Sequence, residues 1–171
     1  GKSTVTKIIS NVLNSEVIEG DGYHKYERSH PAWNNVTHYN PEANNLVQLG
    51  LDIKNIYQDI NSIKVPIYNH HNGKFDTPTE LHKDLDVLII DGLHSLYPEV
   101  TGEFVKIKIF IDNANADTQK IKRDCSERNK SEDDVKGSIQ KREEDYYKYI
   151  ETQKKYSNFI ISIIEDDCII S

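Results

Sequence analysis

The feature that most constrains the fold is a run of four large apolar residues, Val87 to Ile90, followed directly by Asp91. The run has no polar alternation, so a strand made from it must be covered on both faces, as in a parallel sheet between layers of helices. In open α/β sheets, ligands bind beyond the carboxyl ends of the strands. The run therefore predicts a strand covered on both faces that presents Asp91 at its carboxyl end, as a Walker-B metal carboxylate does.

The first four residues, Gly1-Lys2-Ser3-Thr4, have the sequence that ends a phosphate-binding loop. In such loops the lysine reaches the outer phosphates, the next hydroxyl holds Mg²⁺, and N–H groups of the following helix cradle the anion. We therefore predict an ATP site at Gly1, Lys2, Ser3 and Thr4, with Ser3 and Asp91 as metal ligands. The competing interpretation is the ordinary start of a surface helix. A strand and the earlier glycines of the loop are expected before Gly1.

A second carboxylate, Asp21, lies between two glycines just after the predicted strand Glu16–Glu19, and His24 and Arg28 follow it. Phosphoryl transfer requires a residue that takes the proton of the acceptor hydroxyl and cations that hold anionic substrates. We predict that Asp21 is this base, that Lys2 assists the transfer, and that His24 and Arg28 hold a phosphate on the acceptor. Because Asp and Gly are common in turns, a plain turn is the alternative.

Strand and helix patterns alternate along the chain, which predicts an α/β fold with a mainly parallel sheet and helices on both faces. We treat residues 1–171 as one domain, and residues 29–41 as a long irregular loop. The predicted helices cover Val5–Leu13, with one apolar stripe that packs on a sheet, the amphipathic stretch Leu46–Ile60, 116–128, and a stretch that Ser131 caps. The predicted strands cover Glu16–Glu19, Val87–Ile90, 105–111 and Phe159–Ile164. Residues 65–70 and 71–75 predict a hairpin of two short strands around an Asn-Gly turn.

Charge and cysteine content exclude several classes of function. The net charge of −7 argues against a nucleic-acid partner, because backbone binding needs a basic surface. No apolar run approaches the roughly 20 residues of a membrane span. Cys125 and Cys168 have neither metal-ligand spacing nor a disulfide framework, which predicts a reducing, cytoplasmic setting. We expect a small-molecule substrate and leave a homo-oligomer open.

Several segments resemble the phosphoribulokinase and uridine kinase family of P-loop kinases. The resemblance extends over nearly all of the chain, and the segment from Asp21 to Arg28 is most similar to the phosphoribulokinases. The matching segments are Asp-Gly-Tyr-His-Lys-Tyr-Glu-Arg at 21–28, Tyr-Asn-Pro-Glu-Ala-Asn-Asn at 39–45, Pro-Ile-Tyr-Asn-His at 66–70, Asp-Gly-Leu-His at 91–94, and Arg123-Asp124 with Arg128.

The resemblance implies a P-loop NTPase-like three-layer sandwich, with ATP and Mg²⁺ as cofactors and a sugar phosphate as acceptor. It also implies that Arg123 and Arg128 close over the nucleotide and acceptor phosphates as part of a lid. The further residues that it places at the acceptor are Tyr68, His70, Lys120 and Asp124. The spacing by four of Lys120, Asp124 and Arg128 equally suits a plain salt-bridge ladder on a helix surface.

Three positions depart from the pattern of the phosphoribulokinases. Asp91 replaces a usual glutamate, Ser95 a usual proline, and Asn129 a usual glycine. The reaction that the resemblance implies is phosphorylation of ribulose 5-phosphate to ribulose 1,5-bisphosphate. A uridine or nucleoside kinase, and a nucleotide-binding module without catalysis, are the alternatives. Further chain is expected beyond Ser171.

Overall fold

The computed structural model describes residues 1–58, 62–82, 85–164 and 167–170. Its helices are α1 (Lys2–Ser10), α2 (Leu46–Tyr57), α3 (Pro98–Thr101), α4 (Ala116–Arg128) and α5 (Glu132–Asp145). Its strands are β1 (Ser15–Glu19), β2 (Ser62–Asn69), β3 (Lys74–His82), β4 (Val87–Asp91), β5 (Ile109–Asn113), β6 (Phe159–Ile164) and β7 (Asp167–Ile170). Within those ranges, no helix combines the length and the apolar composition needed to span a bilayer.

The strands form two parallel pairs and one hairpin. β1 pairs with β4 and β5 pairs with β6, both in parallel, while β7 adds to β6 in the antiparallel sense. β2 and β3 form a separate antiparallel pair. Parallel pairs joined through helices confirm the predicted α/β class. The prediction of a strand over 105–111 was wrong at its start, since β5 begins at Ile109, and β7 was not predicted.

The two parallel pairs border one large cavity of about 1520 Å³. Residues of β4 and of β5 line it, together with the start of α1. A Cβ atom added at Gly1 would lie 3.1 Å from Cγ2 of Ile111, so the first turn of α1 sits near the carboxyl end of β5. The proposed phosphate-binding residues and the strand ends therefore share one edge of the molecule.

The predicted apolar stripe on α1 is only partly buried, which corrects the sequence prediction. α1 contacts β1 and β4, and Val5 and Ile9 are half-buried. Ile8, in contrast, is 61% exposed and Val12 is 78% exposed. The helix ends at Ser10, so Val12 no longer follows the helical spacing that would turn it toward the strands.

Helix α2 supplies much of the main core, in agreement with its predicted apolar face. Leu49, Ile53 and Ile56 are buried and pack with Ile18 of β1 and other residues. The predicted helix extended to Ile60, which lies outside the described residues.

A buried polar contact ties α2 to the turn that follows β1. The Tyr23 hydroxyl is 2.7 Å from Oδ2 of Asp52 and donates a hydrogen bond to it. The second oxygen of Asp52 accepts from Nε2 of Gln48 at 2.8 Å. Tyr23 is 1% exposed and Asp52 is 5% exposed. Burial, with the carboxylate beside it, raises the pKa of Tyr23 well above its usual value, so the hydroxyl keeps its proton.

The segment 29–41 is irregular as predicted, although two short 3₁₀ turns interrupt it, Pro31–Asn34 and one that begins at Pro41. The predicted hairpin is confirmed and its strands are longer than expected. Gly73 in its turn has φ = 75°, a conformation that glycine adopts without strain. The predicted cap of α5 is also present, since Oγ of Ser131 accepts from the Asp134 amide.

We predict that Tyr23→Phe destabilises the protein by about 1–3 kcal/mol, because the change leaves a buried carboxylate oxygen without its donor. Urea unfolding followed by circular dichroism measures the difference. Tyr147→Phe is the matched control, since Tyr147 is 60% exposed. Equal stabilities for the two variants would show that the contact with Asp52 contributes nothing to the fold.

Candidate active site

The parallel register of β1 and β4 places their carboxyl ends side by side. Glu19 pairs with Asp91 at the last position of both strands. The backbone segments that follow the two strands then approach so closely that a Cβ atom on Gly20 would lie 2.9 Å from Cα of Gly92. A Cβ on Gly22 would lie 2.2 Å from the carbonyl oxygen of Pro66 in β2. Glycine on each side therefore lets the intervening Asp21 sit between β4 and the hairpin.

On the β4 side, Asp91 meets the first turns of α1. The Thr6 hydroxyl lies 3.2 Å from Oδ2 of Asp91 and donates a hydrogen bond to it. Gly1, Lys2 and the following hydroxyl residues are exposed at the start of the helix, beside the cavity. Sequence reasoning missed Thr6, although it lies three residues after Ser3 and therefore on the same helix face.

On the other side, Asp21 lies between two histidines. Nε2 of His24 is 3.7 Å from one carboxylate oxygen of Asp21, and Nε2 of His70 is 3.4 Å from the other. His24 is largely buried and His70 is half-exposed. Burial lowers the pKa of His24, with a contribution from His70, while Asp21 opposes the shift. The structure thus brings together three of the residues that sequence reasoning assigned to the acceptor side.

Aromatic rings surround His24. Its ring centroid lies 5.4 Å from that of Tyr68, 5.9 Å from that of Trp33 and 6.0 Å from that of His38. Tyr68 also contacts the ring of His70, at 5.3 Å. Tyr68 and His70 were named only from the family resemblance; His70 lies beside Asp21, and Tyr68 contacts both histidines that flank it. Their role in acceptor binding stays a prediction.

Arg28 joins the segment after Asp21 to the turn of the hairpin. Its guanidinium donates to the carbonyl oxygens of His70 and His71, and its side chain lies against Gly73. These contacts place Arg28 near the other acceptor residues. They also occupy part of the guanidinium with the protein backbone, and its role as a phosphate anchor stays a prediction.

On α4, three cations converge on one buried carboxylate. Asp124 is 1% exposed and bonds Lys120, Nε of Arg123 at 3.2 Å and Nη1 of Arg128 at 3.1 Å. Burial raises the pKa of Asp124, but the hydrogen bond from Lys120 and the nearby Arg128 outweigh it and lower the pKa to about 2. The salt-bridge ladder that the spacing allows is therefore present, and the lid role of the two arginines stays a prediction.

Comparison with known proteins identifies the family. The model of the phosphoribulokinase/uridine kinase family matches residues 1–169. The chain is 34% identical to a phosphoribulokinase of Synechocystis sp. over 96% of its own length and 50% of that protein. It is 33% identical to a uridine kinase of Clostridium botulinum, covering 94% of this chain and 82% of that one. The chain belongs to the phosphoribulokinase/uridine kinase family.

A solved structure shows the same fold. The phosphoribulokinase from Rhodobacter spheroides superposes with a TM-score of 0.72 at 21% identity, over 94% of this chain and 64% of that chain. The fold is thus that of the P-loop kinases, as predicted. This chain spans about half the length, or less, of the first curated phosphoribulokinases that it matches.

Sequence reasoning also missed a cation near the proposed nucleotide site, Arg142. Arg142, the only arginine of α5, hydrogen-bonds Tyr39, and burial lowers its pKa. It lines the large cavity together with Lys2, Lys120 and Arg123. Its charge also contributes to the lowered pKa of Lys120, for which burial is the main cause. Its sequence context, a run of charged residues on a helix, carries no signal that separates it from a solvated surface arginine.

Asp91 and the hydroxyl groups of α1 are the candidate donors for a metal ion. Among the residues that the structure describes, no group of three or more His, Cys, Asp or Glu side chains could hold a metal ion. Mg²⁺ is usually bound through one or two carboxylates together with substrate phosphates and waters. A single carboxylate, Asp91, beside hydroxyl groups of α1 fits that pattern.

We predict that Asp124→Asn lowers the free energy of unfolding by about 2 kcal/mol at neutral pH, because charge-assisted hydrogen bonds are lost. The pKa of Asp124 lies below its usual value, so its contribution is complete above about pH 5 and disappears as the pH falls toward 2. Melting temperatures from pH 7 to pH 2 measure this. Asp133→Asn, an exposed change on α5, is the control. A pH-independent difference would contradict the assignment.

Proposed function

We propose that this chain belongs to an ATP-dependent kinase that phosphorylates a hydroxyl group of a sugar phosphate, with ribulose 5-phosphate as the acceptor. The observation that carries the proposal is the position of Asp21. It lies between His24 and His70, at the end of the strand next to the one that carries Asp91. The identity with phosphoribulokinases across nearly the whole chain supports the same acceptor.

The donor side uses the start of α1. Lys2 and the free N–H groups of the first helical turn bind the outer phosphates of ATP, since a helix N-terminus favours anions. The cations Lys120, Arg123 and Arg142 line the same cavity and neutralise further phosphate charge. Ser3 and Asp91 would hold Mg²⁺, which would supply positive charge to offset that of the phosphates. Thr6 orients Asp91 for this task through its hydrogen bond.

The acceptor side uses Asp21 and its neighbours. Asp21 takes the proton from the attacking hydroxyl, and its 34% exposed side chain is accessible to a substrate. His24 and Arg28 hold the phosphate already present on the acceptor, with Tyr68 and His70 as walls. Arg123, Arg128, Lys120 and Asp124 belong to the lid, in which substrate phosphates compete with Asp124 for the cations.

Two broader properties belong to the same proposal. We propose that residues 1–171 act as one kinase domain, and that the protein works in the cytosol. The free thiol of Cys125 suits a reducing compartment.

A nucleoside kinase is the second candidate, because a uridine kinase is 33% identical and is covered over 82% of its length. Such an enzyme needs no anchor for an acceptor phosphate. The aromatic rings around His24 would then contact a base. His24 and Arg28 beside Asp21 favour the sugar phosphate.

An acceptor panel decides between the candidates. Coupled release of ADP should be fastest with ribulose 5-phosphate, slower with other pentose phosphates, and absent with uridine. Preference for uridine would replace the sugar-phosphate proposal with the nucleoside kinase. ATP binding in calorimetry, without turnover of any acceptor, would instead indicate a module that binds nucleotide without catalysis.

We predict that Asp21→Asn lowers kcat by roughly 10²–10⁴-fold, because an amide of the same shape cannot take the proton. The KM values for ATP and acceptor should change far less, since the amide still hydrogen-bonds the hydroxyl. Asp133→Asn is the matched control. Rescue by high Mg²⁺ would make Asp21 a metal ligand, and lost thermal stability with intact turnover would make it a turn residue.

A further inference from the structure

Thr37 makes a partly buried connection between the irregular segment and α5. Its hydroxyl donates to Oδ2 of Asp145 at 2.7 Å and accepts from the Tyr39 amide at 3.1 Å. Thr37 is 9% exposed, and Asp145 is the last residue of α5. One hydroxyl therefore uses both its donor and an acceptor position, and it fixes the backbone on both sides of His38.

The backbone of His38 is held from the opposite direction as well. Its carbonyl oxygen lies 3.1 Å from Nε2 of His94 and 3.3 Å from Nδ2 of Asn44. Burial lowers the pKa of His94 to about 4, so its ring is neutral at ordinary pH and its one N–H can serve this carbonyl. His94 follows β4 by three residues. His38 is thus fixed between the end of β4 and the end of α5.

Two more contacts join α5 to the same segment. Nζ of Lys141 donates to the carbonyl oxygen of Trp33 at 3.3 Å and to that of Asn34 at 2.9 Å. Arg142 hydrogen-bonds Tyr39. Since the Lys141 contacts are exposed, we expect them to contribute less stability than the partly buried contact of Thr37. The segment nevertheless meets α5 at three points along its last turn and a half.

The ring of His38 packs near residues of the proposed acceptor site. It lies 6.0 Å from the ring of His24, and Trp33 lies 6.0 Å from His38 and 5.9 Å from His24. His24 in turn lies 3.7 Å from Asp21. A shift of His38 would therefore remove one wall of the space that His24 occupies.

We infer that Thr37 and Asp145 are positioning residues for the acceptor site: their hydrogen bond ties His38 to α5, and His38 holds His24 beside Asp21. The inference rests on the proposed function of Asp21 and His24. By this inference, α5 supports the acceptor site. This helix directly follows α4, which carries Arg123 and Arg128. A tie that served stability alone would change the melting temperature without changing acceptor recognition.

The test compares two substitutions at one position. Thr37→Val keeps the shape and removes the hydroxyl, whereas Thr37→Ser keeps the hydroxyl. We expect Thr37→Val to raise the acceptor KM on the order of tenfold, as loss of a charge-assisted hydrogen bond does, with kcat and the KM for ATP within about threefold. Thr37→Ser should restore the acceptor KM. Thr152→Val is the control, because Thr152 is exposed and its hydroxyl donates to the nearby carbonyl oxygen of Lys148.

Asp145→Ala is measured in parallel, so that the result does not depend on the folding of Thr37→Val. Either change should raise the acceptor KM to the same extent, and the double variant should be no worse than either one. Additive effects, an unchanged acceptor KM in both single variants, or failure of Thr37→Ser to restore it would each overturn the inference.

A spectroscopic readout separates this inference from the proposed function. In substrate-free protein, NMR signals of the histidine rings report the surroundings of His24 and His38. Thr37→Val should move the signals of both rings and Thr152→Val should move neither. If wild type phosphorylates no sugar phosphate, the proposed function fails while the ring signals still decide whether the tie exists. If the signals of His24 and His38 do not move in Thr37→Val, the inference is wrong even if the protein is an active kinase.

Discussion

The candidate site depends on the parallel register between β1 and β4. Because Glu19 and Asp91 are partners at the last position of the pair, the residues that follow leave the strands at the same level. Gly20 and Gly92 then let these two backbone segments approach so closely that no space is left for a Cβ atom on Gly20. A slip of one residue would turn every side chain of one strand to the other face, and it would change the position of Asp21 relative to Asp91. The register therefore links Asp21, the proposed proton acceptor, to Asp91, the proposed metal carboxylate.

Buried polar contacts hold the irregular parts of the site. Tyr23 bonds Asp52 of α2, and Thr37 bonds Asp145 of α5. Gln153, which is 1% exposed, bonds the carbonyl oxygen of Leu93 and the amide of Leu96 in the segment after Asp91. Inside a protein such contacts are strong, and an unpaired partner is costly. The loops consequently have defined positions although they contain little regular structure.

The cations of α4 bind a carboxylate of their own helix, and two of them also border the large cavity. Lys120, Arg123 and Arg128 bond Asp124 within the helix, while the cavity that Lys120 and Arg123 also line adjoins the start of α1. Asp124 keeps its negative charge because its pKa is about 2. It therefore holds these long side chains in place, which would reduce the conformational entropy lost in the proposed phosphate binding.

The sequence alone determined the elements whose signals are local. The apolar run before Asp91 predicted a strand, and β4 is present there. The expected cover on both faces was wrong for the described residues, since all five residues of β4 are half-buried and the strand pairs with β1 alone. Gly73 marked the hairpin turn. The position of Asp21 between two glycines, just after a strand, marked it as a candidate site residue. Contacts between distant residues were decided by the tertiary structure: Thr6 on Asp91, Arg142 at the cavity, and Thr37 on Asp145, 108 residues away. No local pattern encodes such partners, since the packing of α1 and α5 against the rest of the chain brings them together.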